Sequence, residues 1–235
     1  MRIRLPLGRS LLLLCAFLIA LAAFLPMRLA LGWLGLGDKG ITARAVQGSI
    51  WSGRLKEVRI GAAPLGDLDA GLSPLQLLLG RARINVVGAQ GIRGAIELGR
   101  GAFGIADMSG TIPLGAAFAP LPLDALELAG VSVRFTDGQC DRAKGGVKAT
   151  LNRDVSGLNL AQGMSGNVRC EGGALLLPLQ SQSGMERLGL RLFEDGRYEL
   201  DLAVRPGDAA LGAKLGAAGF RQTAQGYVFS LKGRL

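Results

Sequence analysis

From about residue 42 to its end, the chain is written in short runs whose apolar residues recur at every second position, each run cut off by glycine. The period is cleanest where Tyr198, Leu200, Leu202 and Val204 alternate with Glu199, Asp201 and Ala203. Successive side chains of a strand point to opposite faces, so such a run has one buried face and one wet one. The rhythm returns around Leu68, Ala70 and Leu72, at Val131, Val133 and Phe135, at Val147, Ala149 and Leu151, and at Leu188, Leu190 and Leu192. The 37 glycines follow no G-X-Y period and fall between the apolar runs, which reads as tight turns and not as collagen or disorder. This pattern predicts a mainly β, antiparallel domain, curled into a long sheet or incomplete barrel. With aromatic residues at only 5%, its core is aliphatic.

Taken in order, residues 46–61 read as a hairpin: a strand near 49–51, a turn near Gly53 and a second strand over 55–60, with Trp51 as structural anchor of the core. A strand over 64–72 follows. Ser73-Pro74 opens a short helix that Gly80 ends, and strands occupy 82–87 and 92–98. The proline-bearing segment 117–123 is the best internal boundary. Beyond it, turns at Asp137-Gly138 and Glu194-Asp195-Gly196 separate alternating strands, and 167–170 forms another short one. A second short helix falls within 206–220. The closing strand, Tyr227, Val228, Phe229, Ser230 and Leu231, is the candidate sheet edge because the chain ends there.

Ahead of this domain, Arg2, Arg4 and Arg9 precede an apolar run, and the 18 residues between Arg9 and Arg28 carry no charge. As a helix they would measure roughly 27 Å, enough to span a bilayer if flanking arginines snorkel. The expectation is a cytoplasmic N-terminus over 1–9, a single transmembrane anchor over 10–31, a linker over 32–41 and a periplasmic domain over 42–235. Arg9, Arg28 and Trp33 would mark the membrane interfaces. The rival is a cleaved signal peptide, for which Ala20-Leu21-Ala22 supplies a small-x-small site. Both readings export the domain. Of three cysteines, Cys15 lies in the apolar run, which leaves Cys140 and Cys170 to pair as a disulfide in an oxidising compartment or to stand as two buried thiols.

The chain has no histidine, which removes His-based metal sites, Ser-His-Asp and Cys-His nucleophiles and the usual base near neutral pH. Asp67 and Asp69 share a strand face, but without further ligands or a base they read as a solvated face and not as a metal or acid/base pair. The segment G-R-G-A-F-G over 99–104 matches G-x-G-x-x-G, yet Gly110 and Pro113 follow where a dinucleotide site needs a helix. It reads as a β-turn. Net charge is +9, and 21 of the 27 basic residues are arginine, but they are scattered without interleaved aromatics, which argues against nucleic acid. No catalytic, cofactor-binding or metal residues are expected, and the chain is not expected to be an enzyme.

The hairpin's G-S-I-W-S-G followed by L-K-E-V-R-I-G resembles the N-terminal signature of the type II secretion system protein N family, inner-membrane proteins of the general secretion pathway in Gram-negative bacteria. Leu65-Gly66 and the following L-S-P-L-Q-L-L-L-G are similar to the family's next region. D-G-R-Y-E-L-D-L-A-V-R-P from Asp195, then L-G-A-K-L-G and Q-G-Y-V-F-S-L-K-G-R-L, resemble its closing segment. One departure is Ala70, where the family often has an aromatic. The resemblance implies an accessory inner-membrane component of the type II secretion system that acts in the periplasm, with other secretion components and the bilayer as partners. A sheet with an aliphatic inner face leaves one alternative open, a periplasmic lipid-binding or lipid-transfer groove with a lipid ligand.

Overall fold

The computed structural model describes residues 7–33, 41–78, 80–114, 123–151 and 163–234. Two helices come first, α1 (Leu7–Ala23) and α2 (Met27–Trp33). The first half of the domain holds β1 (Ile41–Thr42), β2 (Ala45–Ser49), β3 (Ser52–Ile60), β4 (Ala63–Leu72), α3 (Pro74–Leu78), β5 (Ala82–Gly88), β6 (Arg93–Gly99) and β7 (Ala102–Pro113). The second holds β8 (Leu123–Thr136), β9 (Gln139–Leu151), β10 (Met164–Asn167), β11 (Arg169–Glu171), β12 (Ala174–Ser181), β13 (Glu186–Leu192) and β14 (Arg197–Val204). It closes with α4 (Ala209–Ala217), β15 (Arg221–Thr223) and β16 (Gly226–Arg234).

All sixteen strands join one antiparallel sheet that follows the chain almost in order, from β1 and β2 on one flank of β3 to β14, β16 and β15 at the far side. Among the described residues no pairing closes it, so the sheet is open. Its apolar face buries two clusters. The smaller gathers Met27, Leu55, Val58, Leu68, Ala70, Val86, Ile92 and Met108. The larger runs from β8 to β16 and includes Leu200, Leu202 and Leu215, each at 0% exposure. A single sheet can bury one face so fully only by curling over it, and its bulges supply the bend. Register slips in β3 at Leu55/Val58, in β7 at Ile105/Met108 and in β8 at Ala129/Ser132. An extra residue on one strand bends it and sharpens its twist. Glu57 and Asp107, at two of these bulges, take left-handed backbone (φ 50° and 49°). The Asp67 carboxylate accepts the Glu57 N–H at 3.0 Å. The Ser132 hydroxyl accepts the Asp107 N–H at 2.9 Å.

The N-terminal helix departs from expectation. It is not one helix over 10–31 but two, because Pro26 breaks it: the residue before a proline is pushed to extended backbone, and Leu25 and Pro26 form part of the sheet's edge instead. Pro26 bridges Ser49, and the Ile50 N–H donates to the Leu25 carbonyl at 3.1 Å. Met27 is then buried, and Gly53 makes the room, since a Cβ there would overlap the Met27 sulfur. Among the described residues no helix is long and apolar enough to cross a membrane; α1 has 17 residues.

The opening hairpin is shifted as well. Ser49 pairs with Ser52, so Ile50 and Trp51 form the turn, and Gly48 and Gly53 face each other inside the ladder. A turn residue sits beyond the end of the sheet, so Trp51 is half-buried outside both apolar clusters, and Leu55, Val58 and Met27 anchor the hairpin. The expected strand over 167–170 is split at Val168 into β10 and β11. Opposite this break stands Pro178, which has no N–H to offer, between the β12 residues that pair with β10 and those that pair with β11. Most of the boundary at 117–123 lies outside the described residues.

Candidate functional site

The outer face of the sheet is wet and its charges are matched across strands. Arg54 stands directly opposite Asp69 and binds it at 2.7 Å, and Arg83 binds Glu97 opposite it at 2.9 Å. On the last strands Lys232 binds Glu199 at 2.7 Å and the Ser230 hydroxyl donates to Asp201 at 2.6 Å, again between facing residues. Exposed pairs of this kind are screened by water and salt, so they set register more than they add stability. The hydrogen bond from Arg197 holds the Asp195 carboxyl below its ordinary value. Lys232 does the same for Glu199, as do Arg169 and then Arg191 for Glu171, and Asp69 raises the Arg54 guanidinium.

The two carboxylates singled out in the sequence are both engaged. Asp69 is engaged by Arg54 and Asp67 by the Glu57 backbone, and both are exposed. Among the described residues no group of three or more His, Cys, Asp or Glu could hold a metal. G-R-G-A-F-G is the turn from β6 to β7, with Gly99 facing Ala102. Trp51 lines an open groove of about 730 Å³ with Arg54, Asp69, Asn85 and Val87. The groove is on the outer face, away from the aliphatic core.

What the fold does offer is backbone. Beyond Val228 the outer flank of β16 has no partner strand among the described residues, because β15 pairs only with Gly226, Tyr227 and Val228. Of the candidate edge residues, Tyr227 and Val228 are therefore covered by β15, while Phe229, Ser230 and Leu231 keep an open side. Sequence reasoning missed β15, three exposed residues with no apolar signal to show them. The opposite edge is the interrupted line of β1 and β2 along β3. Arg28 is exposed on α2; the side chains of Arg9 and Trp33 lie outside those described.

Cys140 and Cys170 form a disulfide with Cα atoms 5.4 Å apart, and Cys15 is free and exposed. The bridge joins the first half of β9 to β11, a stretch where no ladder connects the two strands and two backbone bonds, Cys140 N–H to the Gly173 carbonyl at 2.8 Å and Val168 N–H to the Gly145 carbonyl at 3.0 Å, span the gap at its ends.

Comparison with known proteins finds relatives of this sequence. The profile of the family described as type II secretion system (T2SS), protein N, matches residues 39–230. A curated protein of Vibrio cholerae serotype O1 named type II secretion system protein N is 25% identical over 218 residues, covering 85% of each chain. No solved structure matches.

Proposed function

This chain belongs to the type II secretion system protein N family, and on that premise we propose that it is a non-catalytic accessory component of the secretion machinery, tied to the inner membrane through its N-terminal apolar segment. Its domain works in the periplasm as a scaffold that other secretion components join by adding a strand to an open edge. The observation that carries this reading is the uncovered flank of β16 after Val228, a row of backbone groups on a chain with no histidine and no metal-ligand cluster among its described residues. The inner face favours a scaffold over a lipid cradle. Leu200, Leu202 and Leu215 fill it with the protein's own side chains.

Proline substitution tests the edge. Adjacent N–H groups of a strand point to opposite sides, so of Ser230→Pro and Leu231→Pro one removes a donor facing β14 and the other a donor facing the open flank. The flank-side variant should accumulate normally and leave secreted substrates in the periplasm. Full export with both variants folded would refute strand addition at β16. Intact export in a gene deletion, with increased detergent sensitivity, would point instead to lipid handling.

A further inference from the structure

The end of the sheet that carries α3 holds apolar and basic groups that strand addition does not use. Strands alternate in direction, so the Ile50–Trp51 turn, α3, the β6–β7 turn and the β8–β9 turn at Asp137-Gly138 all fall at this one end. The N-terminal segment reaches the sheet here too. Ile50 N–H donates to the Leu25 carbonyl, and Leu72 N–H, one residue before the α3 connection, donates to the Ile50 carbonyl at 2.8 Å. The bridge from Pro26 to Ser49 is antiparallel and β2 runs toward this end, so the chain preceding Leu25 comes in from beyond it. That chain is α1, whose Leu11, Leu12, Leu13, Leu14, Phe17 and Leu21 are all exposed.

Beside the foot of α1, α3 holds out Leu75 at 71% exposure and Leu77 at 44%. Directly after α3, where Arg81 N–H donates to the Gln76 carbonyl at 3.1 Å, Arg81, Arg100 and Arg134 line an open cleft of about 430 Å³ with Gly80, Gly99 and Ala102. Among the described residues none of the three guanidinium groups is in an ion pair. Of the carboxylates at this end, Glu97 is held by Arg83, Asp137 stands over Gly101 and Glu194 reaches Gly138. Apolar side chains at a tip flanked by uncompensated arginines match a surface with an acyl layer beneath anionic headgroups. An acidic protein would account for the arginines but would leave the leucines and the exposed helix next to them in water.

We infer that this end of the domain is a membrane-docking tip, with Leu75 and Leu77 at the acyl boundary and Arg81, Arg100 and Arg134 on the phosphates of anionic lipid. The inference rests on the reading that α1 lies in the bilayer, and it adds that the domain lies against that bilayer instead of standing off it.

The test uses the full chain with Cys15→Ser, reconstituted in vesicles of phosphatidylcholine with phosphatidylglycerol, and one spin label at a time. Labels go on Phe17→Cys in α1, on Leu75→Cys, and on Ser183→Cys in the turn at the opposite end. Relative access to oxygen and to a water-soluble nickel chelate reports depth. The labels at 17 and 75 should both read as acyl-layer and the label at 183 as water. Arg81→Glu with Arg100→Glu should return the label at 75 to water and leave the label at 17 unchanged. Neutralising a single arginine should shift the docked-to-undocked ratio about fivefold. A label at 75 in water while that at 17 is buried overturns the tip and leaves the membrane reading standing; both in water overturns both. Docking that survives the double charge reversal overturns the role given to the arginines.

Discussion

Removing the Cys140–Cys170 bridge tests how the middle of the sheet is held. The perturbation is the double variant Cys140→Ser/Cys170→Ser, which leaves neither a strained thiol nor a half pair. The two residues are 30 apart in sequence. Closing a loop of that length lowers the entropy of the unfolded chain by an amount worth about 3.6 kcal/mol at 25 °C on the loop-entropy model. For a domain of this size that is a fall of roughly 7–14 °C in Tm. The loss should also have a local part. The first half of β9 is tied to the β11 segment by the bridge and by only two backbone bonds, Cys140 N–H to Gly173 and Val168 N–H to Gly145, since the ladder between β9 and β10 spans only residues 146–149 of β9. Denaturant unfolding followed by circular dichroism measures the global loss. Hydrogen exchange measures the local one, and should show faster opening at residues 139–144 and in β11 than in β13 and β14. A loss under about 1 kcal/mol, with exchange in β11 unchanged, would refute the idea that the bridge does the work of the missing ladder.

Leu202 has 0% exposure, so Leu202→Ala should cost about 2–5 kcal/mol, whereas Val87→Ala on the wet face should stay within about 0.5 kcal/mol, both read from denaturant midpoints. At Gly110, φ is 119° and an added Cβ would lie 2.5 Å from the Ile92 nitrogen, so Gly110→Ala should cost about 1–3 kcal/mol or more in the same assay; a neutral result would mean the strand can move aside. The pH dependence of Tm follows from Glu171, Asp195 and Glu199, whose folded-state pKa values are lowered by bound arginine and lysine. Their contribution is complete above the ordinary carboxylate range and is lost as pH falls through the lowered values, so stability should begin to drop below about pH 4. With no histidine in the chain, the curve should be flat between about pH 5 and 8.

Where one face of a strand is buried and the other wet, the strand was legible in the sequence. Tyr198, Leu200, Leu202 and Val204 are buried in alternation, as their spacing implied; α3 appears where Ser73-Pro74 and Gly80 put it, and α4 falls within the expected 206–220. β12 was not legible because Ala174, Leu175, Leu176 and Leu177 are all buried, which erases the two-residue period. Gly53 misled for a different reason: it clears space for Met27 inside a ladder, and nothing in a local pattern distinguishes that from a turn. The break at Pro26 was passed over because the apolar run continues through it, and the docking of Met27 depends on Gly53, 26 positions away. The edge was half legible. A chain terminus suggested an outer strand, and only the fold shows β15 turning back over its first residues.

The central claim is that a partner in the secretion machinery pairs with the open flank of β16. Photo-cross-linking in cells tests it most directly, with one photoreactive residue at a time at Ser230 or Lys232 on β16, at Val87 on the outer face and at Ser183 in a distant turn. The account predicts a cross-link to another secretion component from the β16 positions, lost in the flank-side proline variant, and none from Val87 or Ser183. Cross-links from Val87 with none from β16 would contradict it.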